Sequence, residues 1–122
     1  MSIKRFIGSF KDASRGVRYA FSHEQNFRIQ IYTAIFILLV SLVLSISKGD
    51  LVVVLLLITL VLLLELLNTA VEKMLDLLKP RMSLHVEVIK DVMAAVVLTA
   101  SLCSLIVGII IFYPYLVELF LL

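Results

Sequence analysis

The sequence predicts an all-α integral membrane protein, with three transmembrane helices preceded by an amphipathic helix lying on the membrane surface. Three observations predict it. Of 122 residues, 62% are hydrophobic and only 16% charged, where a soluble domain of this size would be roughly half apolar and about a quarter charged. The apolar residues gather into three runs, each close to the roughly 17–25 residues that a spanning helix needs. The cations, finally, cluster at some ends of those runs and are scarce at the others. Backbone groups in lipid must be satisfied within their own segment, so the runs are helices and not strands.

The elements follow in order within a single domain, residues 1–122. Over residues 2–22, Ile3, Phe6, Ile7, Phe10, Ala13, Val17 and Phe21 recur at helical spacing, while Lys4, Lys11, Arg15 and Arg18 take other faces. That pattern is a basic helix lying in the interface, apolar side down and cations toward anionic headgroups. A nucleic-acid partner is excluded by the same stripe, because Phe and Ile run continuously among the cations. The first span is expected over residues 27–47, softened by Gln30, Tyr32, Thr33 and Ser41, and no cleavage site follows it. "SKGD" at residues 47–50 reads as a tight turn in which Gly49 supplies the permissive backbone. The second span, residues 51–78, continues into a cytoplasmic extension that Pro80 ends at or before Lys79. The third covers residues 88–113. Its Cys103, the sole cysteine, reads as a small apolar residue.

Charge assigns the sides. Lys4, Arg5, Lys11, Arg15, Arg18 and Arg28 precede or open the first span, and Lys73, Lys79, Arg81 and Lys90 lie between the second and third. The turn at 47–50 holds only Lys48 and Asp50, and the tail carries Glu118 without a cation. The excess of cations places the N-terminus in the cytoplasm and the C-terminus outside. Nearly every unusual polar residue then faces the cytoplasm, where ATP and magnesium are.

The stretch "ELLNTAVE" (65–72) follows an almost unbroken apolar run. At 100° per residue, Glu65, Asn68, Glu72 and Asp76 project within a stripe about 80° wide and descend roughly 16 Å. An ionisable group inside hydrocarbon is costly, so the ladder points to function more than to helix–helix adhesion. A carboxylate short of water is the stronger proton acceptor near neutral pH, which suits Glu65, the deepest rung. Glu72, about two turns further out, suits a metal or cation. Glu24, just before the first span, matches its depth, so the two could share an ion. Hard oxygen ligands without a His or Cys cluster favour magnesium over zinc. Lys90 and Asp91 are expected to open the third helix, where a cation and free N–H groups suit phosphate. No Gly-rich phosphate loop is present. The chain also has too few polar groups to enclose a site alone, which favours a homo-oligomer with sites between protomers.

"ELLNTAVEKMLDLL" (65–78) and, after Pro80, "KDVMAAVVL" (90–98) resemble the signature of the prokaryotic diacylglycerol kinase/undecaprenol kinase family. "RFIGSFKDASRGVRYAFSHEQNFRIQ" (5–30) resembles that family's surface helix and the start of its first span. The resemblance covers essentially the whole chain. It implies a homotrimer in the bacterial cell membrane that phosphorylates the hydroxyl of a membrane lipid alcohol with MgATP, at composite sites between subunits. By the same resemblance Glu65 is the general base beside the lipid, and Glu24 and Glu72 hold the ATP-bound Mg2+. Arg5, Asn68, Asp76, Lys90 and Asp91 then belong to the nucleotide site, and Ala94 stands at a small polar position of the lipid site. Ala94 is thus a departure from the family pattern, and two more are visible: Asp12 replaces an aromatic nucleotide contact, and "RMSLHVEV" lacks the usual His-Pro-Leu pattern. The alternative reading is a non-enzymatic oligomeric pore or assembly protein. A pore would carry polar residues through both leaflets, and the outer half of this chain is nearly bare.

Overall fold

The computed structural model describes residues 2–81 and 83–121, and these are all helix and short turn. Helix α1 spans Ile3–His23, α2 Gln25–Leu44, α3 Lys48–Asp76 and α4 Ser83–Leu121. The last three are long and apolar enough to cross a membrane. Helix α3 packs on both α2 and α4, and α1 lies against the α2 and α3 ends. Few side chains are covered. Phe27 and Ser41 of α2, Val54, Val61, Glu65 and Thr69 of α3 and Val86 of α4 form the buried line, while leucines, valines and isoleucines face outward along every span. That inversion is what lipid as solvent allows, since outward apolar surface costs nothing there.

Local chemistry sets the helix ends. The Ser2 hydroxyl accepts from Arg5 N–H at 3.2 Å and caps α1. At the other end Arg28 folds back, its Nη1 donating to the carbonyls of Phe21 at 2.8 Å and Ser22 at 3.0 Å. A guanidinium on those last carbonyls satisfies their lone pairs and opposes the helix dipole, which fixes the α1–α2 elbow.

The turn between α2 and α3 differs from expectation. Gly49 does not supply the left-handed residue; it sits in the first turn of α3, and no glycine has positive φ among the described residues. Ser45 takes that conformation instead, with φ 51 and ψ 51. Ile46 N–H reaches Ser41 O and Ser45 N–H reaches Leu42 O, both at 3.2 Å, a Schellman closure. Ser47 then caps α3, its hydroxyl accepting from Asp50 N–H at 3.1 Å. Tyr115 of α4 completes this end. Its hydroxyl accepts from Ser47 N–H at 3.0 Å and donates to the Asp50 carboxylate at 2.6 Å.

Helix α4 is longer than the third apolar run. It begins at Ser83 and continues through Pro114 to Leu121. Lys90 and Asp91 therefore lie two turns inside the helix and not at its start. The free N–H groups of the N-terminus belong to the first turn, so Lys90 offers its ammonium without that backbone contribution.

Candidate functional site

Three helices place the polar ladder in one cleft. Glu65, Asn68 and Glu72 come from α3 at spacings of three and four, which return to the same face each turn. Helix α2 contributes Asn26, Ile29 and Gln30, and α4 contributes Lys90, Ala94, Val97, Leu98 and Ser101. The cleft holds about 360 Å³ and mixes polar with apolar walls.

Glu65 is the deepest group, only 2% exposed. Gln30 Nε2 donates to its Oε1 at 3.1 Å. Thr69 packs one turn on, its hydroxyl donating to the Glu65 carbonyl at 3.0 Å, so the backbone at Glu65 is held as well. The charged neighbours whose fields reach Glu65 are Glu24 and Glu72. Glu24 sits where α1 gives way to α2, in extended backbone with φ −111 and ψ 108. Its N–H bonds Ala20 O and its carbonyl accepts from Arg28 N–H, but its side chain caps neither helix. The carboxylate is left available.

The cleft thus brings together Glu65, Asn68, Glu72, Lys90 and Ala94. Glu24 stands nearby without lining it. Asp76 is exposed at the last turn of α3, Asp91 is exposed on α4, and Arg5 is exposed on α1, none of them in the cleft wall. Among the described residues no three acidic, histidine or cysteine side chains converge on one point. Mg2+ ordinarily takes one or two carboxylates and completes its shell with phosphate and water, and Glu72 in the cleft wall and Glu24 beside it are carboxylates of that kind.

Two groups escaped the sequence reading. Gln30 counted there only as a polar interruption, although it lies one helical turn after Asn26 and so shares its face. Lys79, in the turn after α3, meets Lys90: hydrogen-bonding contact with that amine, then its charge, holds the Lys79 ammonium below the usual lysine range. Lys90 in the cleft wall and Lys79 beside it leave a positive hollow at that end of the cleft, one that a phosphate would neutralise.

Above the cleft, on the side of the α2–α3 turn, an apolar groove of about 680 Å³ opens between the same helices. It starts at Gln30 and Ser101, which also line the cleft, and runs past Gly108 to Leu116.

Three helices long and apolar enough to span, with a buried carboxylate and a lysine lining one cleft between them, define a multi-pass membrane protein with a polar cleft among its spans. The chain belongs to the prokaryotic diacylglycerol kinase family, whose model it matches over residues 11–112. It is 37% identical over 113 residues to a diacylglycerol kinase of Synechocystis, covering 91% of this chain and 64% of that protein, so it spans under two thirds of that relative's length. It is 32% identical over 112 residues to the undecaprenol kinase of Bacillus subtilis, covering 92% of this chain and 91% of that one. No solved structure matches it.

Proposed function

We propose that the protein is a lipid kinase that transfers the γ-phosphoryl group of MgATP to the hydroxyl of a membrane lipid alcohol of the undecaprenol or diacylglycerol kind. The observation that carries this reading is Glu65, buried between apolar spanning helices in the wall of a polar cleft and held by Gln30. Phosphoryl transfer needs positioning, charge neutralisation and a base for the nucleophile. The oxygen of the alcohol forms the new bond to phosphorus, the bond from phosphorus to the bridging oxygen of ATP breaks, and ADP leaves. Glu65 takes the hydroxyl proton. Lys90, with Lys79 beside it, offsets the phosphate charge, and Asn68 lies between the two chemistries. Glu24 and Glu72 would hold Mg2+, which supplies charge neutralisation on the phosphates when bound. Arg5, Asp76 and Asp91 are assigned to the nucleotide by the family resemblance alone.

In the same reading α1 lies amphipathically on the inner face of the bacterial cell membrane. Its outward Ile3, Phe6 and Phe10 support this. The N-terminus is cytoplasmic, the C-terminus outside, and three copies assemble with sites between them. The hydrocarbon chain of the alcohol lies in the apolar groove, which is continuous with the cleft through Gln30 and Ser101.

The test uses protein in bilayer nanodiscs with labelled MgATP and a panel of lipid alcohols, reading label in the organic phase. At least one alcohol should be labelled, and absence of label in all would reject the reading. Glu65→Gln keeps shape and hydrogen bonding, and kcat should fall about 10²–10⁴-fold, the usual contribution of a general base. Lipid phosphorylation by this variant at the normal rate would remove Glu65 from that role.

A further inference from the structure

Gln30 uses only half of its amide. Its Nε2 serves Glu65, but Oε1 is buried with no hydrogen-bond partner among the described residues. An unpaired buried carbonyl is costly, and native proteins keep few of them, so a site that retains one is shaped for a donor brought from outside. The position of Gln30 says what brings it. Gln30 and Ser101 line both the polar cleft and the apolar groove and form the neck between them. A ligand with hydrocarbon in the groove and reactive head in the cleft presents its first polar atom at that neck. On a chain alcohol that atom is the hydroxyl.

We propose that Gln30 is a positioning and specificity residue for the lipid: its NH2 group fixes one oxygen of Glu65, and its carbonyl accepts the hydroxyl of the incoming alcohol. The inference rests on the lipid kinase reading and deepens it. The amide is planar, so the two bonds are geometrically tied, and a hydroxyl bound to Oε1 is delivered beside the free oxygen of Glu65. Before transfer the O–H donates to Gln30. As the bond to phosphorus forms, the proton passes to Glu65, and Gln30 neither gains nor loses one. Selectivity follows as well, because a chain ether lacks the proton that the carbonyl requires.

The decisive pair of variants is Gln30→Met and Gln30→Glu, assayed as full chains in nanodiscs with labelled MgATP. Gln30→Met keeps length and apolar stem but loses both amide functions. Its KM for the lipid alcohol should rise about tenfold, the value of one hydrogen bond, with kcat reduced and KM for ATP unchanged. Gln30→Glu keeps an acceptor, and while protonated it can still donate to Glu65. It should restore activity at the acid end of the pH profile and lose it as pH rises. Two facing carboxylates then both ionise, with Glu24 and Glu72 adding negative charge from the α1–α2 junction and α3, opposed by Lys90 of α4. A Gln30→Met enzyme with wild-type lipid KM and kcat would overturn the proposal. So would a Gln30→Glu enzyme whose loss tracks thermal stability equally at every pH, since that marks a merely structural residue. Wild-type protein that labels no alcohol at all would instead defeat the kinase reading, an outcome visible before either variant is made.

Discussion

Lys79 meets the amine of Lys90, which depresses its proton affinity, and the sign of that effect can be checked against folding. Between the depressed folded value and the ordinary lysine value, the unfolded chain binds more protons than the folded one. Stability contributed by this residue therefore rises with pH through that alkaline window. Lys79→Met should flatten the rise, seen as a smaller gain in Tm across that window than wild type shows. A Tm profile superimposable on that of wild type would mean that the two amines do not feel each other. Lys90→Met, which retains the apolar stem, should raise KM for ATP while leaving KM for the lipid alone. A change confined to membrane insertion would show Lys90 to be only an interfacial anchor.

Among the elements, what the sequence made legible was what the bilayer sees. The three spans follow from unbroken apolar runs, and the ladder of Glu65, Asn68 and Glu72 follows from helical spacing. The ends of helices were less legible, because hydrogen-bond closure decides them and hydrophobicity does not. Ser45 takes the left-handed position that Gly49 was expected to fill, and a serine at a Schellman closure leaves no compositional mark. Helix α4 outruns its apolar stretch because Pro114 gives up one backbone bond while its neighbours keep theirs. Gln30 was unreadable as a site residue for another reason: its partner Glu65 is 35 positions away, on a different helix. Tyr115 shows the same long-range logic, joining α4 to the head of α3. Tyr115→Phe keeps the ring and removes both bonds, one of them to a carboxylate, so unfolding in detergent should be easier by about 1–3 kcal/mol. An unchanged denaturation midpoint would show that water replaces the clasp without loss.

At the scale of the whole molecule, the proposed lipid kinase reading calls for a second copy at the site. Glu24 approaches the cleft from the α1–α2 elbow without lining it, and the spans present apolar faces along their full length. Both features suit an assembly in which one protomer's elbow closes its neighbour's cleft. Glu24→Gln and Glu65→Gln chains, each inactive alone, should regain lipid phosphorylation when co-assembled, because some mixed oligomers then hold one intact site. Failure of every mixing ratio to restore activity would place both carboxylates in the same chain's site.

The Tyr115 clasp has a mechanical corollary. Among the described residues, Tyr115 makes the two hydrogen bonds that join α4 to the α2–α3 turn. Lys90 is 25 positions away, about 37 Å along the helix at its usual rise. Helix α4 is thus a lever whose pivot is at the α2–α3 turn and whose working tip is at the polar cleft. A tilt of about 3° about the clasp carries the Lys90 backbone through about 2 Å, the difference between touching a phosphate and missing it. Two hydrogen bonds at one end of the bundle, with the packing of α4 on α3, thus bear on the aim of the ammonium at the other.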